Sequence, residues 1–202
     1  MPLRDVKDRI LALPWLYDRV RPLFIGYIDH NRLAGFCGVA PGDHVFDLGC
    51  GTAQLVRHLR CKRYLGVDVD SSALERARRF AAPHIRFLAG EDWDDAVREL
   101  DPTIVLMIGV VHHVSDADFA AIVDRIRRVG PAARRLVTFE ATYFPGRPVN
   151  NLLSRLDRGR FVRRPGEYET LFERCGLRVA HREVLPTRLR IARYIGYHVE
   201  FV

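Results

Sequence analysis

The sequence lacks the features of several classes of protein. Its longest uncharged apolar run, 103–111, is far shorter than the roughly 18–20 residues that span a bilayer. Charged residues between Arg4 and Arg9 are unlike a secretory signal, so we expect a cytoplasmic protein. The four cysteines form no C-x-x-C pair, which favours reduced thiols and argues against a zinc site. With no internal repeat or linker, the 202 residues fit one domain, 1–202.

Lysine is also scarce. Of the 32 basic residues only Lys7 and Lys62 are lysine, and the net charge is +7. Arginine binds planar anions such as carboxylate and phosphate, although genome composition produces the same bias without a function. The arginines therefore permit an anionic partner without requiring one.

The pattern of apolar residues predicts strands that alternate with helices. Strands are predicted at 44–48, 64–69, 85–89, 104–109 and 136–140, and helices at 53–60, 71–80, 94–100, 116–129 and 167–175. The helix at 71 is expected to begin at Ser71 or Ser72 as its N-cap. Two last strands, 177–184 and 197–202, have no clear helix between them and favour an antiparallel pair at one edge. We therefore expect an α/β fold with a doubly wound, mostly parallel seven-stranded sheet, preceded by a helical cap within 1–40.

A glycine turn follows the first predicted strand. Gly49 and Gly51 allow a tight bend at the carboxyl end of that strand, where ligands bind in such sheets. Gln54 replaces the third small residue of the dinucleotide fingerprint, so NAD is disfavoured, and no P-loop motif is present. Asp68 ends the second strand, where an acidic side chain accepts hydrogen bonds from both ribose hydroxyls. The alternative is that Asp68 only caps a turn or helix.

Four segments resemble motifs of class I S-adenosylmethionine-dependent methyltransferases. They are VFDLGCGTA at 45–53, YLGVDVDS at 64–71, FLAGED at 87–92 and IVLMIGVVHHVSD at 104–116. The resemblance covers roughly residues 30–185 and is greatest to small stand-alone enzymes of the type 11 and type 12 groups. It implies a Rossmann-like methyltransferase fold that binds S-adenosyl-L-methionine and releases S-adenosyl-L-homocysteine, with no metal.

The same resemblance implies a set of cofactor-binding residues. The set consists of Asp47, Gly49, Cys50, Gly51, Asp68, Val69, Glu91, Asp92, Trp93 and Gly109. Two positions depart from the family pattern. Ala53 stands where the family usually has glycine, and Thr103 where many relatives have aspartate. The methyl group of Ala53 is expected to be tolerated if that residue has helical dihedral angles.

Candidate catalytic residues follow the fourth and fifth strands. His112 and His113 lie where an acceptor is expected, and a histidine with a pKa near 6.5 can remove a proton from it. His112 is the first candidate base, and the alternative is that the pair only packs the next helix. Glu140 is expected to orient the acceptor or to pair with an arginine. Because methyl transfer is an in-line displacement, alignment supplies much of the rate and a base is optional.

The segment 143–166 is predicted to be a basic loop over the acceptor site. It contains six arginines and one acid, Asp157, and its 150–156 stretch could form a short helix. We expect substrate contacts from Arg158 and Arg160, with Tyr17 and Tyr143 as pocket walls. Such a loop suggests an anionic acceptor, and the alternative is a solvated basic surface.

These observations favour methyl transfer to a small or medium-sized anionic acceptor, with oxygen or nitrogen as the nucleophile. An RNA or DNA methyltransferase is an alternative that the positive charge permits. It is disfavoured because no N-P-P-Y-type motif, Pro-Cys dipeptide or RNA-binding module is present. A protein that binds the cofactor without catalysis is the third hypothesis. No membrane span is expected, and the oligomeric state is open.

Overall fold

The computed structural model describes residues 29–157 and 159–202. Tyr17, Arg158 and the part of the predicted helical cap within 1–28 lie outside the described residues. The strands are β1 His44–Leu48, β2 Arg63–Asp68, β3 Ile85–Ala89, β4 Ile104–Ile108, β5 Arg135–Ala141, β6 Leu177–Pro186 and β7 Arg193–Phe201. The helices are α1 His30–Cys37, α2 Ser71–Ala77, α3 Asp94–Leu100, α4 Asp116–Val129, α5 Pro148–Leu156 and α6 Pro165–Arg174, with 3₁₀ turns at Gln54–His58, Arg78–Phe80 and Val111–His113.

The seven strands form one sheet in the order β3-β2-β1-β4-β5-β7-β6. Strands β1 to β5 are parallel, and β7 runs antiparallel to both β5 and β6. The predicted fold class is thereby confirmed, including the antiparallel edge pair. Strand order reverses between β1 and β4, so the carboxyl ends of these two strands flank the crevice where such sheets bind ligands.

A hydrophobic core lies on each face of the sheet. Neighbouring residues of β1 point to opposite faces, so Phe46 packs in the core under α3, α4 and α6, and Val45 in the core under α1 and α2.

Helix α4 shows how the sequence produces this packing. The hydroxyl of Ser115 caps it by accepting from the Asp118 N–H at 3.1 Å, and its buried side chains recur every three or four residues.

Three local predictions differ from the structure. The helix expected at 53–60 is only a short 3₁₀ turn, because Ala53 adopts a left-handed conformation with φ of 51° at its start. The N-cap of α2 is Asp70 rather than a serine, since its carboxylate accepts from the N–H groups of Ser72 and Ala73 at 2.9 and 3.2 Å. Helix α6 begins two residues early, at Pro165, because proline suits the first turn of a helix.

Two further features concern the state of the cysteines and the length of the helices. The four cysteines are all free thiols. Among the described residues, every helix is too short or too polar to cross a membrane.

Candidate functional site

A cleft of about 710 Å³ opens at the carboxyl ends of β1, β2 and β4. The loops after these strands form one wall and helix α4 forms the other. Seven of the residues predicted to form the site line this cleft, namely Gly49, Asp68, Val69, Glu91, Trp93, Gly109 and His113. The fold therefore brings residues from four separate sequence motifs together in one cleft.

The glycine turn is shaped by Asp68. Its Oδ2 accepts the N–H of Gly51 at 2.7 Å, and its Oδ1 accepts the N–H of Asp70 at 2.8 Å. Gly49 and Gly51 have φ of 76° and 54°, which favours glycine at both positions. Asp68 thus holds the turn in place while its carboxylate lines the cleft, where each oxygen retains a further lone pair for a ligand.

Gly49 also sets the spacing of the two loops beside the switch point. A Cβ atom built at Gly49 would lie 2.5 Å from Cγ2 of Val110 in the loop after β4. Only glycine lets these loops approach so closely. This contact positions Gly109, which has φ of 75°, at the edge of the cleft.

Ala53 does not have the right-handed helical dihedral angles that would make its methyl group harmless. Its φ of 51° and ψ of 33° are left-handed, a conformation that costs a residue with a Cβ about 1–2 kcal/mol. The side chain is buried in the core under α1 and α2 rather than in the cleft. The departure from the usual glycine therefore strains the backbone beside the turn and does not narrow the cavity.

Asp47 lies beneath the turn, outside the cleft lining. Its Oδ2 accepts the hydroxyl of Tyr64 at 2.6 Å, and its Oδ1 is buried without a hydrogen-bond partner. Burial raises the pKa of Asp47 to about 7, the Tyr64 hydrogen bond opposes the rise, and the charge of Asp68 adds to it. Cys50 is likewise outside the lining, and burial raises the pKa of its thiol well above its usual range. The cofactor-binding roles of both residues stay predictions.

Trp93 and Arg125 form the far end of the cleft. The guanidinium carbon of Arg125 lies 3.8 Å from the centroid of the Trp93 ring, and its Nε donates to Asp94 at 2.5 Å. Arg125 also donates to the Glu91 carbonyl at 2.8 Å, which fixes the loop after β3 against α4. Asp92 is exposed and does not line the cleft.

Glu140 is a fully buried carboxylate between β5 and the turn after β4. It accepts the N–H groups of Val111 and His112 at 3.2 and 3.1 Å, and the Thr138 hydroxyl. Its Oε2 lies 2.5 Å from Nδ1 of His112. These contacts use the carboxylate entirely within the protein, so Glu140 orients the turn that carries the two histidines.

His112 is buried between two carboxylates. Its Nε2 lies 3.3 Å from Oδ1 of Asp157, opposite Glu140. Burial favours the neutral ring, but the hydrogen bonds and charges of Asp157 and Glu140 outweigh it and raise the pKa of His112 to about 9. At neutral pH the ring is an imidazolium, which has no lone pair with which to remove a proton. This state favours His113 over His112 as the base, the reverse of the order predicted from the sequence.

His113 is exposed and lines the cleft beside Gly109. Its ring centroid is 4.3 Å from that of His112. The fold brings Asp157 to this pair, so that potential metal-ligand atoms of His112, His113 and Asp157 lie within 4.8 Å of one another. The expectation that no metal binds stays a prediction.

The segment 159–163 packs against the turn that carries the two histidines. The Phe161 N–H donates to the His112 carbonyl at 3.0 Å, and Gly159 packs against the His112 ring where a Cβ would clash. Arg163 is buried and donates to the carbonyls of Val111 and Val114, each at 3.0 Å. At least one of the six arginines is therefore structural.

The remaining predicted substrate residues are not in the cleft lining. Tyr143 is half-buried and Arg160 is exposed. Sequence reasoning also missed one wall, which consists of Asp118, Ala121, Ile122 and Arg125 on α4. Their spacing of three and four residues marks one helix face, but that face mixes charged and apolar residues and so gives no clear pattern.

Comparison with known proteins agrees with this geometry. Residues 45–130 match a family model described as a methyltransferase domain. A search of curated proteins gives no match.

Solved structures share the fold. The calicheamicin-biosynthesis methyltransferase CalO1, solved with S-adenosylhomocysteine, superposes with a TM-score of 0.67 at 20% identity over 98% of this chain and 60% of its own. The mitomycin 7-O-methyltransferase MmcR gives 0.63 at 21% identity over 86% of this chain and 53% of its own. A putative Haloferax volcanii methyltransferase complex with the Trm112 activator gives 0.63 at 16% identity, over 97% and 96%. The chain thus spans little more than half the length of the first two, and these likenesses show the fold.

Proposed function

We propose that this chain is a class I S-adenosylmethionine-dependent methyltransferase and that it transfers a methyl group to an oxygen or nitrogen atom of a small or medium-sized anionic acceptor. The observation that carries the proposal is one shared cleft. Asp68 and Gly49 line one part of it, and His113 lines another, beside Gly109. A cofactor held at the first part would face an acceptor at the second.

The residues present fit S-adenosylmethionine. The cleft volume of about 710 Å³ falls within the roughly 300–1,000 Å³ of small-molecule sites. The Asp68 carboxylate suits two ribose hydroxyls, and the exposed Val69 side chain offers apolar surface for the adenine, with Glu91 as an acceptor for its amine. When bound, the cofactor supplies a methyl group on a sulfonium that a nucleophile displaces in line.

The protein's own residues align and activate the acceptor. His113 is placed to accept a proton from an acceptor hydroxyl or amine. Glu140 and the His112 imidazolium hold the turn that carries His113, so they are positioning residues. The exposed arginines of the 143–166 segment, among them Arg160 and Arg164, supply positive charge for an anionic acceptor. The greater resemblance of this chain to the type 11 and type 12 groups stays a prediction.

Two structural neighbours support a small acceptor, since their names place them in mitomycin O-methylation and calicheamicin biosynthesis. We retain the two alternatives from the sequence as outcomes of one assay. Tritiated S-adenosylmethionine is incubated with the protein and a cell extract, and the extract is then separated into small molecules, RNA, DNA and protein. We expect label in small molecules that an anion exchanger retains. Label confined to nucleic acid, or none in any fraction, would contradict the proposal.

The role of His113 is tested separately, on the labelled acceptor fraction. His113→Ala should lower turnover by roughly 10²-fold or more while cofactor affinity stays unchanged, because general bases contribute on that order. His84→Ala is the matched control, since His84 is exposed and lies outside the cleft lining. Unchanged turnover in His113→Ala would remove the base from the mechanism.

A further inference from the structure

Helix α5 buries polar side chains and exposes most of its apolar ones. Its buried side chains are polar, and those of Asn150 and Ser154 both donate to the Thr142 carbonyl, at 3.0 and 2.9 Å. Leu153 packs against the core, but the other leucine and valine side chains of the helix are exposed, although burying them would stabilise the fold. The exposed apolar residues of the helix are Val149, Leu152 and Leu156, at 59%, 56% and 40% exposure.

A basic pocket of about 190 Å³ adjoins this apolar surface. It lies between α5 and the turn joining β6 to β7, and three of its lining residues are Arg147, Arg190 and Arg193. No acidic residue from the described part of the chain lines it. Among the described residues, none accepts a hydrogen bond or ion pair from these three guanidinium groups. Like charges gathered without a counter-charge repel one another, which favours the binding of an anion in the pocket.

The turn and the helix form one continuous surface. The backbone N–H of Arg193 donates to Oδ1 of Asn150 at 2.7 Å, which holds the turn against α5. The turn adds two exposed apolar side chains, Leu189 at 59% and Ile191 at 41%, and Ile191 shares the basic pocket with Val149. We call this the α5–turn surface, which consists of Arg147, Arg190, Arg193, Val149, Leu152, Leu156, Leu189 and Ile191.

Apolar side chains flanked by arginines are the pattern of helices that lie at a lipid–water interface. The apolar side chains enter the acyl boundary, and the guanidinium groups bind lipid phosphates through paired hydrogen bonds. We propose that the α5–turn surface docks the protein onto an anionic phospholipid bilayer, with lipid phosphate in the basic pocket.

The charge distribution favours a bilayer over a second copy of this chain. A two-fold symmetric dimer through this surface would bring its arginines to face the same patch of the partner, which offers no acid in return. An anionic bilayer supplies a phosphate for each arginine and an apolar interior for the leucines. Docking is independent of methyl transfer, so it can be measured without cofactor or acceptor.

The test is co-sedimentation of the full-length protein with vesicles. One set contains phosphatidylcholine alone, and the other contains phosphatidylcholine with one third phosphatidylglycerol. We expect binding at least tenfold tighter to the anionic vesicles, and weakened by 0.5 M salt because the charges are screened. The triple variant Arg147→Gln/Arg190→Gln/Arg193→Gln should bind them at least tenfold more weakly, and Leu152→Asp should also weaken binding.

The matched control is Arg60→Gln/Arg76→Gln/Arg128→Gln, which removes the same charge from exposed positions outside the α5–turn surface. It should keep nearly all of the binding, and circular dichroism should show every variant folded. Equal losses in both triple variants would overturn the proposal, since net charge alone would then explain binding. So would a failure to bind anionic vesicles, or a dimer in light scattering that Leu152→Asp dissociates without vesicle binding.

Discussion

Nδ1 of His112 lies 2.5 Å from Oε2 of Glu140, which ties the turn after β4 to the end of β5. Nε2 of the same ring lies 3.3 Å from Oδ1 of Asp157, the residue that follows α5. One imidazolium therefore pairs with two carboxylates, one from β5 and one from the end of α5. Removing one partner of such a buried pair typically costs about 3–5 kcal/mol. The cluster therefore holds together the framework around the cleft.

The first prediction concerns pH. The pKa of His112 is raised to about 9 in the folded protein from 6.5, so the folded state keeps a proton that the unfolded chain has lost. The stabilisation is complete below pH 6.5 and disappears as the pH rises through about 9, with a slope of at most about 1.4 kcal/mol per pH unit. Urea unfolding across this range should show a steeper decline in the wild type than in His112→Gln, in which the decline due to Asp47 and Cys50 remains. Parallel profiles for the two proteins would contradict the assigned charge.

The second prediction concerns metal. His112, His113 and Asp157 have the ligand types of a metal site, but Nε2 of His112 lies 3.3 Å from Oδ1 of Asp157, and a metal would have to displace the proton between them. Purified protein should carry no stoichiometric transition metal by elemental analysis, and treatment with a chelator should leave its melting temperature unchanged. Zinc or cobalt that co-purifies at one per chain, with loss of stability on chelation, would show the opposite.

The third prediction compares two glycines of the same turn. Gly49→Ala adds a clash with Val110 to the left-handed strain, whereas Gly51→Ala meets no atom within 4 Å. We expect Gly51→Ala to cost about 1–2 kcal/mol of unfolding free energy and Gly49→Ala about 1–3 kcal/mol more. Chemical denaturation measures both. Val110→Ala in the Gly49→Ala background should recover part of the difference, and equal losses in the two single variants would refute the close approach of the loops.

The fourth prediction concerns cofactor affinity. Asp68→Ala should weaken S-adenosylmethionine binding more than tenfold in calorimetry, because it removes a ribose acceptor and the anchor of the Gly51 N–H. Asp70→Ala is the matched control, since Asp70 caps α2 and does not line the cleft. That variant should lose about 1 kcal/mol of stability and keep its affinity. An Asp68→Ala protein with wild-type affinity would remove Asp68 from the cofactor site.

Sequence patterns predicted the elements that depend on local periodicity. The bounds of β1, β3, α3 and α4 agree with the prediction, because alternating or helical spacing of apolar residues determines which face is buried. The 3₁₀ turn after Ala53 could not be predicted in this way. Its cause is a single left-handed residue, and alanine gives no signal of that conformation.

The sequence by itself determined the order of strands and helices and the positions of the glycine turn, Asp68 and the histidine pair. Each of these depends on the spacing of neighbouring residues or on the position at which a strand ends. Only the tertiary structure decided that Asp157 meets His112 and that α5 exposes Leu152 and Leu156. The protonation of a buried imidazole depends on which carboxylates the fold places beside it, and the exposed face of a helix depends on which groups the sheet offers it. Such contacts join residues that lie far apart along the chain, so no local pattern of residues encodes them.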